Sequence, residues 1–241
     1  MQHDTVLIVD DEPQIRRLLR NTLQPEMACI LEASTGQEAI DLAASEDPDV
    51  IILDLGLPDM RGSDVCREIR KWSAAWIVVL SVSHSDRDKV LLFDLGADDY
   101  VTKPFSKREF TARIRAHRRR LQTPWPLSGI EPVTIEDLVV SLSARTIRRG
   151  EEPIHLTPLE WDLLRLFLAH ADCTLTHTQL LETIWGSASD DPQKALRVHI
   201  ANLRRKIEHD PMRPRLIITE PGVGYRLALP SVEERREHHV H

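Results

Sequence analysis

Apolar residues in the first half of the chain fall into short unbroken runs separated by helical patterns. Val6-Leu7-Ile8-Val9, Val50-Ile51-Ile52-Leu53 and Ile77-Val78-Val79-Leu80 are continuous and bounded by turn residues, which is how strands buried on both faces of a parallel sheet read. Cys29-Ile30-Leu31 and Asp99-Tyr100-Val101-Thr102 supply two shorter ones. Pro13 fits the first position of a helix with Ile15, Leu18, Leu19 and Leu23 on one face. Further helices are expected from near Gly36 through Ala43, from Ser63 to Trp72, from Asp86 to Leu95 and from Lys107 to Leu121. Five strand–helix repeats predict an α/β fold, a doubly wound five-stranded parallel sheet over residues 1–121.

After Arg118-Arg119-Arg120 the pattern changes. Thr123-Pro124-Trp125-Pro126-Leu127-Ser128-Gly129 carries no periodicity, so residues 122–132 read as a linker. Short β-like segments then follow: Val133 to Ile135, Leu138 to Leu142, Thr146 to Arg149 and Pro153 to Leu156. Thr157-Pro158-Leu159-Glu160 is a capping box opening a helix with Leu159, Leu163, Leu166 and Phe167 on one face. Thr176-His177-Thr178-Gln179 repeats the device before Leu180, Leu181, Ile184 and Trp185. A third helix, about Pro192 to Glu208, buries Leu196, Ile200, Leu203 and Ile207, and its spacing turns Lys194, Arg197, Val198, Ala201, Asn202 and Arg205 outward. Leu216 to Thr219 and Tyr225 to Leu227 flank Glu220-Pro221-Gly222-Val223-Gly224 as a hairpin. Helices followed by a hairpin predict a winged helix-turn-helix over residues 133–230, with a polar tail at 231–241.

A length of 241 residues suits two domains. No run reaches membrane length and the N-terminus lacks a signal-peptide pattern, so a cytoplasmic protein without membrane contact is expected. Three scattered cysteines make neither a disulfide framework nor a zinc site. A formal net charge of −7 argues against a nonspecific nucleic-acid coat, and neither half carries more basic than acidic side chains. Local clustering is different: from Lys194 to Lys206 five residues are basic and none acidic.

The candidate chemistry lies at the carboxyl ends of the parallel strands, where open α/β sheets bind ligands. Asp54 ends one run, Asp10-Asp11-Glu12 ends another, Ser81 a third, and Lys103-Pro104 follows the last. Clustered carboxylates repel unless a hard cation neutralises them, and a few oxygen donors with room for water and phosphate suit Mg2+. The lysine and the hydroxyl are then placed to hold a phosphoryl group on Asp54. Singly, each of these is an ordinary helix entry or strand-end polar residue; the conjunction carries the reading. Trp161 and Trp185 read as core.

Asp10-Asp11, Asp54, Ser81 and Lys103-Pro104-Phe105 resemble the receiver domain of bacterial two-component response regulators, whose fold is flavodoxin- and CheY-like. The capped helices, Trp185-Gly186 and Gly222-Val223-Gly224-Tyr225-Arg226 resemble the output domain of the OmpR/PhoB subfamily. Leu53-Asp54-Leu55-Gly56-Leu57-Pro58-Asp59, Arg70-Lys71-Trp72-Ser73 and Ile218-Thr219-Glu220 are most similar to a branch that controls potassium-uptake operons. The resemblance implies a non-enzymatic regulator phosphorylated on Asp54 by a sensor histidine kinase. It implies Mg2+ held by Asp11, Asp54 and the Gly56 carbonyl with help from Asp10, phosphate held by Lys103 and Ser81, and Tyr100 as the switch aromatic. It further implies a homodimer through Lys89 with Glu109 and Asp99 with Arg113. The third helix is expected to meet double-stranded promoter DNA through Lys194, His199, Asn202 and Arg204, with Arg197 and Arg205 outward by spacing, and the output to act on RNA polymerase. One rival is a DNA-binding regulator independent of phosphorylation. Another is a Mg2+-dependent phosphatase of the haloacid dehalogenase type, which needs a second Asp two residues after the nucleophile, where this chain has Gly56.

Overall fold

A computed structural model describes residues 5–83, 85–122, 132–186 and 192–229, and the chain forms two compact units. The first half alternates β1 (Thr5–Val9), α1 (Pro13–Leu23), β2 (Cys29–Ala33), α2 (Gly36–Glu46), β3 (Val50–Asp54), α3 (Gly62–Arg70), β4 (Trp76–Ser81), α4 (Asp86–Asp94), β5 (Asp99–Thr102) and α5 (Lys107–Gln122). Its five strands are parallel in the order β2-β1-β3-β4-β5, the doubly wound arrangement expected. Strand alternation divides the apolar runs between the faces. Val6, Ile8, Val50, Ile52, Val78, Leu80 and Val101 pack with Leu19 and Leu23 of α1 and Phe110 and Ile114 of α5. Leu7, Val9, Ile51, Leu53, Ile77 and Val79 are buried as well, which is why these runs show no polar alternation. Each such side chain contributes roughly 1.5–3 kcal/mol by leaving water. Trp76 opens β4 and its ring stacks on His117, centroids 4.4 Å apart.

Register fixes the chemistry. Val9 pairs with Leu53, so Asp10 follows beside Asp54; Asp54 itself pairs with Leu80, and Ser81 with Thr102. A Cβ on Gly62 would stand 2.1 Å from the Asp54 carbonyl oxygen and 2.8 Å from Leu55 Cα. Only glycine therefore lets α3 begin against the strand end that carries Asp54.

In the second half, β6 (Val133–Ile135), β7 (Leu138–Ser141), β8 (Thr146–Arg149) and β9 (Glu152–Pro153) form an antiparallel sheet in chain order. Then come α6 (Pro158–Ala169), β10 (Thr174–Thr176), α7 (His177–Ile184), α8 (Pro192–Ile207), β11 (Ile217–Glu220) and β12 (Gly224–Leu227). Both capping boxes form: Thr157 and Glu160 exchange bonds at the start of α6, and Thr176 and Gln179 do so before α7. Trp161 and Trp185 are buried. The hairpin β11–β12 gains an unforeseen third strand, β10, on its far side. The expected linker falls mostly at 123–131 and the tail at 231–241, both outside the described residues. Cys66 is buried, which pushes its thiol up to about 11, while Cys29 and Cys173 are exposed, and all three are free. Among the described residues no helix is long and apolar enough to cross a membrane.

Candidate phosphoacceptor site and nucleic-acid interface

The end of β3 delivers Asp54 to a pocket whose centre is an ammonium. Lys103 Nζ lies 2.5 Å from Asp54 Oδ1 and 2.8 Å from Asp10 Oδ2. The other oxygens of both acids are also engaged, Asp54 Oδ2 by the Gly56 N–H at 2.8 Å and Asp10 Oδ1 by the Glu12 N–H at 2.9 Å. Burial raises the Asp10 pKa above its ordinary value, and repulsion from Asp54 adds to that; Lys103 and the Glu12 amide oppose it. For Lys103 burial alone lowers the pKa, but its bonds to Asp10 and Asp54 more than offset this and the net shift is upward.

Asp11, next to Asp10, is exposed. Arg16 of α1 holds the loop from behind, its Nη1 donating to the carbonyls of Asp10 at 2.7 Å and Asp11 at 3.1 Å. Two buried carboxylates sharing one ammonium, with the Asp11 carboxylate next in sequence, make a donor set of oxygen only in which acids outnumber cations. That set fits a hard divalent cation such as Mg2+. In this arrangement Lys103 is the cation the acids share.

Ser81 ends β4, buried, and its Oγ accepts from the Ser83 N–H at 3.0 Å. Ser83 extends the contact, donating from Oγ to Asp88 Oδ2 of α4 at 2.6 Å, while its carbonyl accepts from the Tyr100 hydroxyl. Tyr100 is buried and its pKa is raised, chiefly by desolvation. Lys89 Nζ stands 5.4 Å from the Tyr100 ring centroid, a cation–π contact. The expected switch pair is thus joined through Ser83, which also ties Asp88 in and which the sequence reading missed; a hydroxyl two residues past the strand-end serine is a weak signal.

The expected dimer residues are placed differently from one another. Asp99 and Arg113 pair within one chain, Arg113 Nη1 to Asp99 Oδ1 at 2.9 Å, both buried. Lys89 lies over Tyr100, and the Glu109 side chain lies outside the described residues.

On α8, Arg197, Ala201 and Arg205 are exposed, and Lys194 and Val198 are half-buried. The expectation that His199 meets DNA is corrected, and Arg204, expected at another DNA-contacting position, is half-buried. His199 is 1 % exposed because it falls on the buried stripe with Leu196, Ile200 and Leu203. Arg204 reaches instead to the wing, Nε donating to the Ile217 carbonyl at 3.0 Å and Nη2 to Thr219 Oγ1 at 2.8 Å. Burial lowers its pKa, against the pull of Tyr225 and Glu208. Asn202, expected outward, is 6 % exposed and its Oδ1 accepts from Arg205. Nearby Glu160 accepts the Lys206 ammonium at 2.6 Å, tying the α6 capping box to α8.

These placements separate two arginines by role. Arg197→Ala should leave the unfolding midpoint unchanged and weaken DNA binding, reducing the salt slope by about one. Arg204→Ala should destabilise the domain by about 1–3 kcal/mol, since it leaves wing acceptors unpaired. Urea unfolding and salt-dependent titrations check both.

Comparison with known proteins agrees with this geometry. Residues 6–115 match the response regulator receiver domain family and residues 150–227 the C-terminal domain family of transcriptional regulatory proteins. The chain belongs to the two-component response regulators, those of OmpR/PhoB type with a receiver and a DNA-binding domain; such a regulator works with a sensor kinase and binds DNA. It is 46 % identical over 227 residues to the KDP operon transcriptional regulatory protein KdpE of Escherichia coli (strain K12), covering 93 % of this chain and 99 % of that one. It is 44 % identical over 222 residues to the transcriptional regulatory protein KdpE of Mycobacterium tuberculosis (strain ATCC 25618 / H37Rv), covering 92 % and 97 %. Among solved structures, a point mutant of RitR has a TM-score of 0.75 at 27 % identity, and DrrB, an OmpR/PhoB homologue from Thermotoga maritima, one of 0.50 at 30 %; each covers 94 % of this chain and 100 % of the other.

Proposed function

We propose that Asp54 accepts a phosphoryl group from a sensor kinase phosphohistidine, and that this raises affinity for the promoter of an operon of the kind for which the KdpE relatives are named. One observation carries the reading: the Lys103 ammonium is shared by Asp54 and Asp10 at the carboxyl edge of the sheet. In the transfer an Asp54 carboxylate oxygen forms the new P–O bond as the P–N bond to the kinase histidine breaks. Lys103 exchanges a carboxylate for a phosphoryl oxygen, and Ser81 Oγ turns from the Ser83 N–H toward another. Mg2+ would be held by Asp11, Asp54 and the Gly56 carbonyl with Asp10 alongside, and would supply charge neutralisation for a loose transition state. Release of Ser83 loosens its hold on Asp88 and Tyr100, which carries the change to α4 and β5. Water returns Asp54 to a carboxylate, so the chain has at most a slow self-dephosphorylating activity. Position 56 bears no carboxylate and its amide is bonded to Asp54, which disfavours a phosphatase.

The α4–β5–α5 face forms the two-fold dimer in this reading, with Lys89 and Glu109 across it and the Asp99–Arg113 pair stacking on, or exchanging with, its symmetry mate. The dimer presents two copies of α8, led by Lys194, Arg197 and Arg205, to paired half-sites and engages RNA polymerase in the cytoplasm. Fluorescence anisotropy on DNA upstream of the regulated operon tests the coupling. Phosphodonor with Mg2+ should tighten binding at least about tenfold for the wild type and leave Asp54→Asn unchanged. Equal, tight binding by both proteins in every condition would instead favour regulation without phosphorylation.

A further inference from the structure

The loop between β3 and α3 is tied to a helix it has no sequence proximity to. Asp59, at the loop's tip, accepts from the Gly36 N–H on Oδ1 at 2.8 Å and from the Gln37 N–H on Oδ2 at 2.9 Å. Both carboxylate oxygens thus serve the first turn of α2, which already has a cap of its own: Thr35 Oγ1 accepts from the Glu38 N–H at 3.2 Å. The two backbone bonds hold the Asp59 carboxyl below its usual range. The loop is closed at its base as well, by the Gly62 N–H bonding the Leu55 carbonyl at 3.1 Å and by an antiparallel bridge between Gly56 and Arg61. Closed at base and tip, the loop carries Gly56, whose amide holds Asp54 Oδ2.

We propose that Asp59 is a positioning residue for Mg2+: by clamping the loop tip to α2 it fixes the Gly56 carbonyl beside Asp54, so that the metal meets a donor already in place. The inference rests on the reading of the acidic pocket as a Mg2+ site. Thr35 satisfies only the Glu38 amide of that turn, so Asp59 completes the cap of α2 through Gly36 and Gln37 and, in doing so, ties the loop that carries Gly56 to the helix. The clamp lowers the ordering the loop would otherwise undergo when the cation binds. Its own bonds go to the amides of α2, and Asp54 Oδ1 keeps Lys103 as its partner. Its removal therefore weakens metal binding and leaves the chemistry at saturating metal intact.

The experiment is calorimetric titration of the full-length protein with MgCl2 for wild type, Asp59→Ala, Asp59→Asn and Asp54→Ala, below the unfolding range of each. Asp59→Ala should weaken Mg2+ about tenfold. Asp59→Asn, which retains one acceptor oxygen, should fall between it and the wild type. In phosphodonor kinetics the half-saturating Mg2+ concentration should rise for Asp59→Ala by the same factor while the rate at saturation stays within about twofold. If Asp59→Ala unfolds at lower temperature but binds Mg2+ as the wild type does, Asp59 is a cap for α2 only and the proposal falls. A wild type with no saturable Mg2+ signal, matching Asp54→Ala, overturns the metal site itself and the positioning role with it.

Discussion

Replacing Lys103 by alanine should destabilise the receiver by about 3 kcal/mol in metal-free buffer while tightening its hold on Mg2+ about tenfold. Both effects have one cause. The Lys103 side chain is 13 % exposed, and its partners Asp10 and Asp54 are 0 % and 11 % exposed. Without the ammonium, two buried carboxylates face each other with no cation between them, and a divalent cation no longer competes with an internal one. The pH dependence has a definite sign. A raised Lys103 pKa means that its contribution is complete below the ordinary value of 10.5 and is lost as pH climbs through the folded-state value. Asp10, raised already by burial, rises further once its partner is gone. A raised carboxyl favours the folded state most when protonated, so the variant should regain stability as pH falls from neutrality toward 3.8, more steeply than the wild type. Urea unfolding at several pH values in chelator, with Mg2+ titrations alongside, reads all three effects. Unchanged stability together with unchanged Mg2+ affinity would show that Lys103 is not the cation on which the pocket depends. Phosphorylation should also cease to alter DNA binding, since the Ser81 hydroxyl alone is left to hold the phosphoryl group against the charge of Asp10.

That pocket was legible from the sequence for a structural reason. In a parallel sheet every strand ends at the same edge, so polar residues closing successive apolar runs converge without any knowledge of side-chain conformation. Asp10, Asp54, Ser81 and Lys103 needed only the order of the elements. Asp59 and Arg16 were not legible in the same way: each acts through backbone groups of another segment, and spacing says nothing about which amides or carbonyls a loop brings near.

The output domain shows the complementary difficulty. Helical spacing located the buried stripe of α8 but set its edge wrongly at Asn202, because the stripe is wide enough to take in neighbouring polar residues. A basic residue on such a helix also has two destinations, solvent or a nearby carbonyl. Arg204 takes the second because β11 offers the Ile217 carbonyl and Thr219. A pair such as Asp99 and Arg113 likewise has the same sequence signature whether it closes within one chain or across a dimer; here it closes within the chain.

The largest effect in the output domain is expected at a residue that sequence reading passed over. Glu208 follows α8 immediately, is 5 % exposed, and gathers three backbone donors: Arg215 N–H to Oε2 at 2.9 Å, Ile217 N–H to Oε1 at 2.8 Å, and Leu216 N–H to either oxygen at 3.1 Å. These amides lead into the wing, and the same stretch receives Arg204 at the Ile217 carbonyl. The end of α8 and the start of β11 are therefore one hydrogen-bonded joint. Glu208→Ala leaves three amides without their acceptor, at about 1–3 kcal/mol for each that water does not reach, so the domain should lose roughly 4 kcal/mol. Glu208→Gln keeps one carbonyl oxygen but turns an NH2 toward donors, so it should lose about half as much. Urea unfolding should show the loss as an earlier output transition beside an unmoved receiver transition. DNA affinity should fall even where the domain remains folded, because α8 and the wing no longer share a fixed angle. Phosphorylation of Asp54 should proceed at the wild-type rate. An output transition within about 0.5 kcal/mol of the wild type would mean that these amides find other acceptors and that the joint is held elsewhere.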